Sequence, residues 1–190
     1  MKSTKLPHGL IEKINFNQLF SMKPKENNDV LVYNKKTGEF DRKTIFRSYI
    51  SYLKTPEFDP STKKSYMFLN KEEKSPAELQ PILDYVQSID SRYNQMVVNW
   101  YNEEDYIEMH RDCTAKMVHK DCPVLVLNLN ESISDEDCRE MVFENVETGE
   151  ITKEPLKNNY LYKIENNNTH RHGVGSGKEK RISITFRMMK

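Results

Sequence analysis

Residues 181–187 read Arg-Ile-Ser-Ile-Thr-Phe-Arg, and that run decides how the rest of the chain is read. β-Branched and aromatic residues alternate with polar ones, the period-2 pattern of a strand. Successive side chains leave a strand on opposite faces. Ile182, Ile184 and Phe186 therefore turn one way, and Arg181, Ser183, Thr185 and Arg187 the other. An amphipathic strand with one wet face satisfies this pattern with no chemistry at all. Two guanidiniums on one face also suit a planar carboxylate, which an arginine fork grips in bidentate fashion. What other segments place opposite that face decides between the two.

Strand patterns run from residue 95 to that segment. Met96, Val98 and Trp100 face one side and Val97, Asn99 and Tyr101 the other, followed by a turn at Asn102-Glu103-Glu104-Asp105. Tyr106 to Asp112 follows, then a polar loop and the apolar strand Val124–Leu127. An acidic loop, Glu131 to Glu140, leads to Met141-Val142-Phe143; Leu161 to Ile164 is a further strand and Asn166-Asn167-Asn168 a turn. Ahead of these lies one helix over residues 75–90. Ser75 and Glu78 form a capping box around Pro76. Leu79, Ile82, Leu83, Val86 and Ile89 repeat at helical spacing, which predicts a buried apolar face. Short antiparallel strands with helical material before them predict a mixed, mainly β jelly roll.

The N-terminal 40 residues are rich in Lys and Asn, with a sparse apolar set (Leu10, Ile11, Ile14, Phe16, Leu19, Phe20) that suits a short helix or strand packed outside the core. Residues 42–70 carry Phe46, Tyr49, Tyr52, Phe58, Tyr66 and Phe68. These read first as core of short strands. The functional alternative is a platform on which a flat substrate stacks, with Tyr49, Tyr52 or Tyr66 as the aromatic. We expect one domain, with residues 1–74 as an extension and substrate lid, 75–90 as a supporting helix and 94–190 as the core.

Composition narrows the classes. With 36% hydrophobic residues in 190, the chain can bury one core. Charged residues are 31% of the total but balance, 29 against 29, so no global basic field announces nucleic acid. Only the first 43 residues lean basic, nine Lys and Arg against five Asp and Glu. Three cysteines, Cys113, Cys122 and Cys138, suit a reducing compartment better than a disulfide scaffold. No apolar run is long enough to span a bilayer or act as a signal peptide. The expectation is an intracellular protein, cytoplasmic or nuclear, with no membrane partner.

His110-Arg111-Asp112 is the sharpest local motif. In extended backbone, His-x-Asp presents an imidazole and a carboxylate on one face. A second histidine would complete two imidazoles and a carboxylate, the facial set of non-haem Fe(II) oxygenases with its open coordination positions. Both His170 and His172 are available for that role. His119-Lys120-Asp121 repeats the motif, but just before Pro123 and with no polar strand leading into it. A zinc site from Cys113, His119, Cys122 and Cys138 fits no finger or ribbon spacing. Gly173, Gly175 and Gly177 precede a strand rather than a helix, so they lack the dipole that supports a phosphate loop and read as a flexible turn. With a metal beside it, the polar face of residues 181–187 would hold a small dicarboxylate.

Four pieces occur together in one order. Asn99-Trp100-Tyr101, after eight residues His110-Arg111-Asp112, then His172-Gly173-Val174, and finally Arg181 and Arg187 with five residues between them resemble the signature of the AlkB family of Fe(II)/2-oxoglutarate-dependent dioxygenases. The resemblance covers about residues 94–187 and extends more weakly back to 75. It implies a double-stranded β-helix with Fe(II), 2-oxoglutarate and O2. By match, His110, Asp112 and His172 would bind iron, and the Gly-Val after His172 favours it over His170. Asn99, Tyr101, Arg181, Ser183 and Arg187 would hold 2-oxoglutarate, with Tyr101 and Arg181 near its distal carboxylate and Arg187 near the end that chelates iron. The implied reaction is oxidative demethylation of methylated or alkylated bases in single-stranded DNA or RNA, with release of formaldehyde, succinate and CO2. Where repair members carry an acidic residue two positions after the Asp ligand, this chain has Thr114, and the interval from His172 to Arg181 is short. These departures keep a second substrate class open, a protein side chain or small molecule. A barrel reduced to a binding module is disfavoured, because every matched position keeps its functional residue.

Overall fold

The computed structural model describes residues 1–25, 28–34, 36–55, 67–112, 122–132, 134, 138–165 and 169–190. Fourteen strands are found among them: β1 (Lys2–Lys5), β2 (Asp29–Asn34), β3 (Glu39–Thr44), β4 (Ser48–Leu53), β5 (Met67–Phe68), β6 (Lys71–Glu72), β7 (Gln95–Tyr101), β8 (Ile107–His110), β9 (Val124–Asn130), β10 (Glu140–Asn145), β11 (Ile151–Pro155), β12 (Tyr160–Ile164), β13 (His170–Val174) and β14 (Arg181–Arg187). Three helices, α1 (His8–Ile11), α2 (Phe16–Ser21) and α3 (Gln80–Ile89), join them.

Seven strands form one sheet in the order β1-β12-β9-β14-β7-β4-β6, and four form a second in the order β11-β10-β13-β8. The fold is mainly β, a jelly roll. β14 lies at the centre of the larger sheet, antiparallel to both β7 and β9. Its outward residues Ile182, Ile184 and Phe186 are fully buried with Met96, Val98, Trp100, Leu125 and Leu127, beneath Ile82, Leu83 and Val86 of α3. The indole N–H of Trp100 donates to Leu19 O at 2.8 Å and ties α2 to the same face. A smaller apolar cluster holds the two sheets together at one end: Val124, Val126, Met141, Tyr162, Ile164 and Val174.

Three expectations need correction here. α3 begins at Gln80, after a 3₁₀ turn over Ala77–Leu79, and Ser75 Oγ bonds Pro76 O instead of capping the helix. Pro81 has no N–H to give a preceding turn and its ring crowds the carbonyl four residues back, so the helix starts around it. Ile89 is 53% exposed and lies off the buried face. Gly173 is no flexible turn: it sits inside β13, where a Cβ would come within 2.9 Å of Ile107 O and 3.0 Å of Met109 N. The turn expected at 166–168 lies outside the described residues.

Residues 1–74 supply β1, β4 and β6 to the larger sheet. They also build a third sheet, β3-β2-β5, whose hairpin turns at Gly38 with φ +75°.

Candidate metal centre

Strand pairing assembles the site. β13 and β8 place His172 directly opposite His110, with ring centroids 4.5 Å apart. Asp112 follows two residues after His110, and its Oδ2 lies 3.5 Å from His172 Nε2. One donor atom from each of the three lies within 4.8 Å of the others, the one such cluster among the described residues. His110 Nδ1 lies 2.8 Å from Glu108 O. Donation to that carbonyl turns Nε2 toward the centre, the usual way a ligating imidazole is oriented.

The electrostatics suit a cation. Burial pushes His172 down from 6.5 to about 4, and burial likewise lowers His110. Both rings are thus neutral at neutral pH, as ligation requires. Burial alone would raise the Asp112 carboxyl, but Arg187, His172 and His110 together hold it well below the usual carboxylate range. Arg187 Nη2 donates to Asp112 Oδ1 at 2.5 Å.

The inner face of β14 continues from this centre. Its register sets Arg181 beside Tyr101 and Ser183 beside Asn99. Arg181, 1% exposed, lies over the Tyr101 ring at 4.6 Å and donates from Nε to Asn128 Oδ1 at 2.6 Å. Its Nη1 is buried with no hydrogen-bond partner. Burial lowers its pKa. Asn99 Nδ2 lies 3.5 Å from Ser183 Oγ. All eight residues expected at the site line one cavity of about 570 Å³.

The donor set and the pocket fit the implied groups. Two neutral imidazoles and a carboxylate suit Fe(II) with positions left open. A carboxylate beside Arg181 would satisfy the orphaned Nη1, a buried donor that otherwise carries its full desolvation cost.

Some expected residues fall elsewhere. His170 is exposed, with Nδ1 2.8 Å from Thr169 Oγ1, and stands outside the triad. Tyr49 is fully buried, its hydroxyl donating to Asp29 O and accepting from Leu69 N, and Tyr52 is packed in the core, so neither offers a face for stacking. Phe46, read as core, is instead 49% exposed and stacks on Tyr106 at 4.5 Å, and both line the cavity. Cys122 is buried in the apolar core. Tyr66, Phe58, Cys113, Thr114 and His119 to Asp121 lie outside the described residues.

Two arginines were not anticipated. Arg47 lines the cavity and donates from Nε to Asn99 Oδ1 at 2.9 Å. Arg139 is 4% exposed, lies over Tyr101 at 5.7 Å and donates to the carbonyls of Asn102, Glu103, Asp105, Gly175 and Glu179. Both come from segments without periodic pattern, so nothing local distinguishes them from surface arginines.

No protein-family model and no curated protein matches the sequence. Solved structures do. A prolyl-4-hydroxylase from Pseudomonas putida matches with a TM-score of 0.59 and 12% identity, over 100% of this chain and 91% of that one. A chain named OsALKBH1 aligns at TM-score 0.49 and 16% identity, over 76% of this chain and 78% of that one. A Trichoplax adhaerens prolyl hydroxylase bound to a hypoxia-inducible-factor peptide aligns at 0.46 and 18%, over 59% and 56%. The chain has the jelly-roll fold of the Fe(II)/2-oxoglutarate oxygenases. Its His-Asp-His set stands in a plausible metal site within that fold.

Proposed function

We propose that this chain is a non-haem Fe(II)/2-oxoglutarate-dependent dioxygenase of the AlkB-like type, acting on N-methyl groups of methylated or alkylated bases in single-stranded DNA or RNA. The observation that carries the reading is one cavity holding both a neutral-imidazole and carboxylate triad and, on β14 of the larger sheet, a buried guanidinium with an unpartnered N–H. Bound iron and 2-oxoglutarate supply the oxidising chemistry, in which O2 and the oxo acid yield succinate and CO2 while a substrate C–H becomes C–OH; from an N-methyl group the product loses formaldehyde.

The chain's own residues bind and orient. His110, Asp112 and His172 are the iron ligands. The Glu108 carbonyl fixes the His110 ring, and Arg187 fixes the Asp112 carboxylate. Arg181, steadied by Asn128 and by the Tyr101 ring, takes the distal carboxylate, and Asn99 and Ser183 border the same pocket.

Substrate specificity rests on the opposite wall. The sheet β3-β2-β5, within residues 1–74, contributes Val32, Lys43 and Phe68 to the cavity and serves as the lid over the core that begins at residue 94. The Phe46–Tyr106 stack offers an aromatic face for a base taken out of its strand. Cationic side chains of the lining outnumber its carboxylates, which suits a polyanion.

The test is succinate formation from 2-oxoglutarate and Fe(II), with methylated oligonucleotides and with peptides, and Asp112→Ala as control. Succinate and formaldehyde that rise with one oligonucleotide and vanish in the variant are expected. Stimulation by a peptide alone would move the substrate to a protein side chain, the chemistry named for the Pseudomonas putida relative. Absence of Asp112-dependent succinate would overturn the enzyme reading.

A further inference from the structure

Three guanidiniums gather around Tyr101. Arg181 lies over its ring at 4.6 Å and Arg139 at 5.7 Å. Arg47 joins them by register. Ser48 pairs with Trp100, so Arg47, just before β4, comes level with Tyr101, and Arg181 pairs with Tyr101 from the other side. Side chains level with one another across a sheet share a face, and Arg47, Tyr101 and Arg181 all line the cavity. This row crosses β14 at the end away from Arg187, which holds Asp112.

Arg139 is answered by five backbone carbonyls. The other two are not so matched. Arg181 has an amide oxygen, Asn128 Oδ1, on its Nε and nothing on its buried Nη1. Arg47 has an amide oxygen, Asn99 Oδ1, on its Nε at 2.9 Å, and among the described residues no carboxylate or hydrogen bond engages its Nη groups. The carboxylates lining the cavity, Glu108 and Asp112, are paired with Lys43 and Arg187. Two cations therefore share one wall with no anion between them. Burial does most to lower the Arg181 pKa and the Arg47 charge lowers it further, a repulsion that a bound anion relieves.

The two side chains also converge. β4 and β14 flank β7, so their backbones stand about 10 Å apart, twice the interstrand spacing of roughly 4.8 Å. The bond to Asn99 on β7 carries Arg47 toward β14, and the Tyr101 contact keeps the Arg181 guanidinium by the same strand. A carboxylate set over β7 has one oxygen for each arginine.

We propose that Arg47 and Arg181 together clamp the distal carboxylate of 2-oxoglutarate, one from each side of Tyr101. The assignment rests on the reading of this cavity as a 2-oxoglutarate site. It makes the segment of residues 1–74 that carries Arg47 part of the co-substrate pocket as well as of the lid, and leaves Arg187 to the metal ligand Asp112.

Calorimetric titration of the full chain loaded with Mn(II), which separates binding from turnover, tests the clamp. The ligands are 2-oxoglutarate and 2-oxobutyrate, which keeps the 2-oxo acid but lacks the distal carboxylate. Arg47→Gln is expected to weaken 2-oxoglutarate roughly tenfold, the scale of one charged hydrogen bond, and to leave 2-oxobutyrate unchanged. The unchanged 2-oxobutyrate affinity also shows that the variant is folded. Arg47→Lys, which keeps the charge, should recover part of the loss. The double variant Arg47→Gln with Arg181→Gln should lose less than the product of the single losses, because both arginines act on one group. Wild-type 2-oxoglutarate affinity in Arg47→Gln would overturn the assignment, and so would an equal loss for both ligands, which would take Arg47 away from the distal end. If the wild type takes up neither ligand, the 2-oxoglutarate reading itself falls, and the clamp with it.

Discussion

The two faces of β14 are almost equally buried and chemically opposite. Ile182, Ile184 and Phe186 are wholly inaccessible on one side, while Arg181, Ser183 and Thr185 are 1%, 3% and 8% exposed on the other. The first face meets α3 and needs nothing more than shape. On the second, each polar group must find a partner or carry a desolvation cost. Asn128 partners Arg181, Asn99 reaches Ser183 and Asp112 partners Arg187. Burial therefore does not separate core from site in this protein. Partnering does, and the atom left over, Arg181 Nη1, marks where a ligand is needed.

The sharpest way to break the comparison is to remove the carboxylate that the polar face serves. Asp112→Ala deletes one of three ligands and leaves the outer face untouched. We expect metal-dependent succinate formation to vanish and Mn(II) affinity to fall by more than the roughly 100-fold that losing an outer partner of a ligand costs. Melting of the metal-free variant should remain cooperative. A variant that still binds Mn(II) like the wild type would remove Asp112 from the site.

The complementary cut is Phe186→Ala. It empties a fully buried aromatic position on the outer face and should cost about 3–5 kcal/mol in denaturant unfolding. Mn(II) affinity of the fraction that stays folded should be unchanged, because the neighbours of Phe186 in the core include no site residue. Matched losses of stability and affinity would show that the two faces are not independent.

Gly173→Ala tests the other half of the site. The new Cβ meets backbone on β8, which cannot rotate away, so β8 and β13 must separate at the point where they hold His110 opposite His172. About 1–3 kcal/mol of destabilisation is expected from overpacking, with weaker Mn(II) binding alongside it. Here the two losses should travel together, unlike in Phe186→Ala.

The strands that carry the triad and the dicarboxylate face were legible because each keeps a strict alternation, and alternation fixes which residues share a face. β14 and β7 show it plainly: the split of Met96, Val98 and Trp100 from Val97, Asn99 and Tyr101 is the split between core and cavity. β13 was hidden because His170-Arg171-His172-Gly173-Val174 has neither alternation nor β-branched density; its pairing with β8 and β10 makes it a strand. The hairpin β2–β3 left a fainter trace, Val30 to Tyr33 followed by Gly38, masked by charged residues on an exposed edge. Arg47 and Arg139 left none. Their roles come from contacts 52 residues away in one case and 34 to 40 in the other. The start of α3 departs from its local signal because the capping residues at Ser75 compete with Pro81, and the proline wins on sterics.

The smallest effect is on pH, and its sign follows from the triad. Burial lowers His172 from 6.5 to about 4 and lowers His110 as well. The unfolded chain therefore takes up protons at these rings before the folded one does. Their neutral forms contribute stability that is present above pH 6.5 and is lost as pH falls toward about 4. Asp112 acts in a separate window: its lowered carboxyl contributes stability above its ordinary 3.8 that is lost below it. The metal-free protein should thus begin to lose stability near pH 6.5, ahead of the acid unfolding of its carboxylates, and His172→Gln should flatten the upper part of that profile. Mn(II) should oppose the loss, since it binds only the unprotonated rings, and its own affinity should fall over the same range. Denaturant midpoints from pH 7.5 to 4.5, with and without Mn(II), measure both. A His172→Gln profile that matches the wild type would mean that folding leaves this ring's pKa where it is in the unfolded chain, and would remove its burial as the source of the acid-side loss.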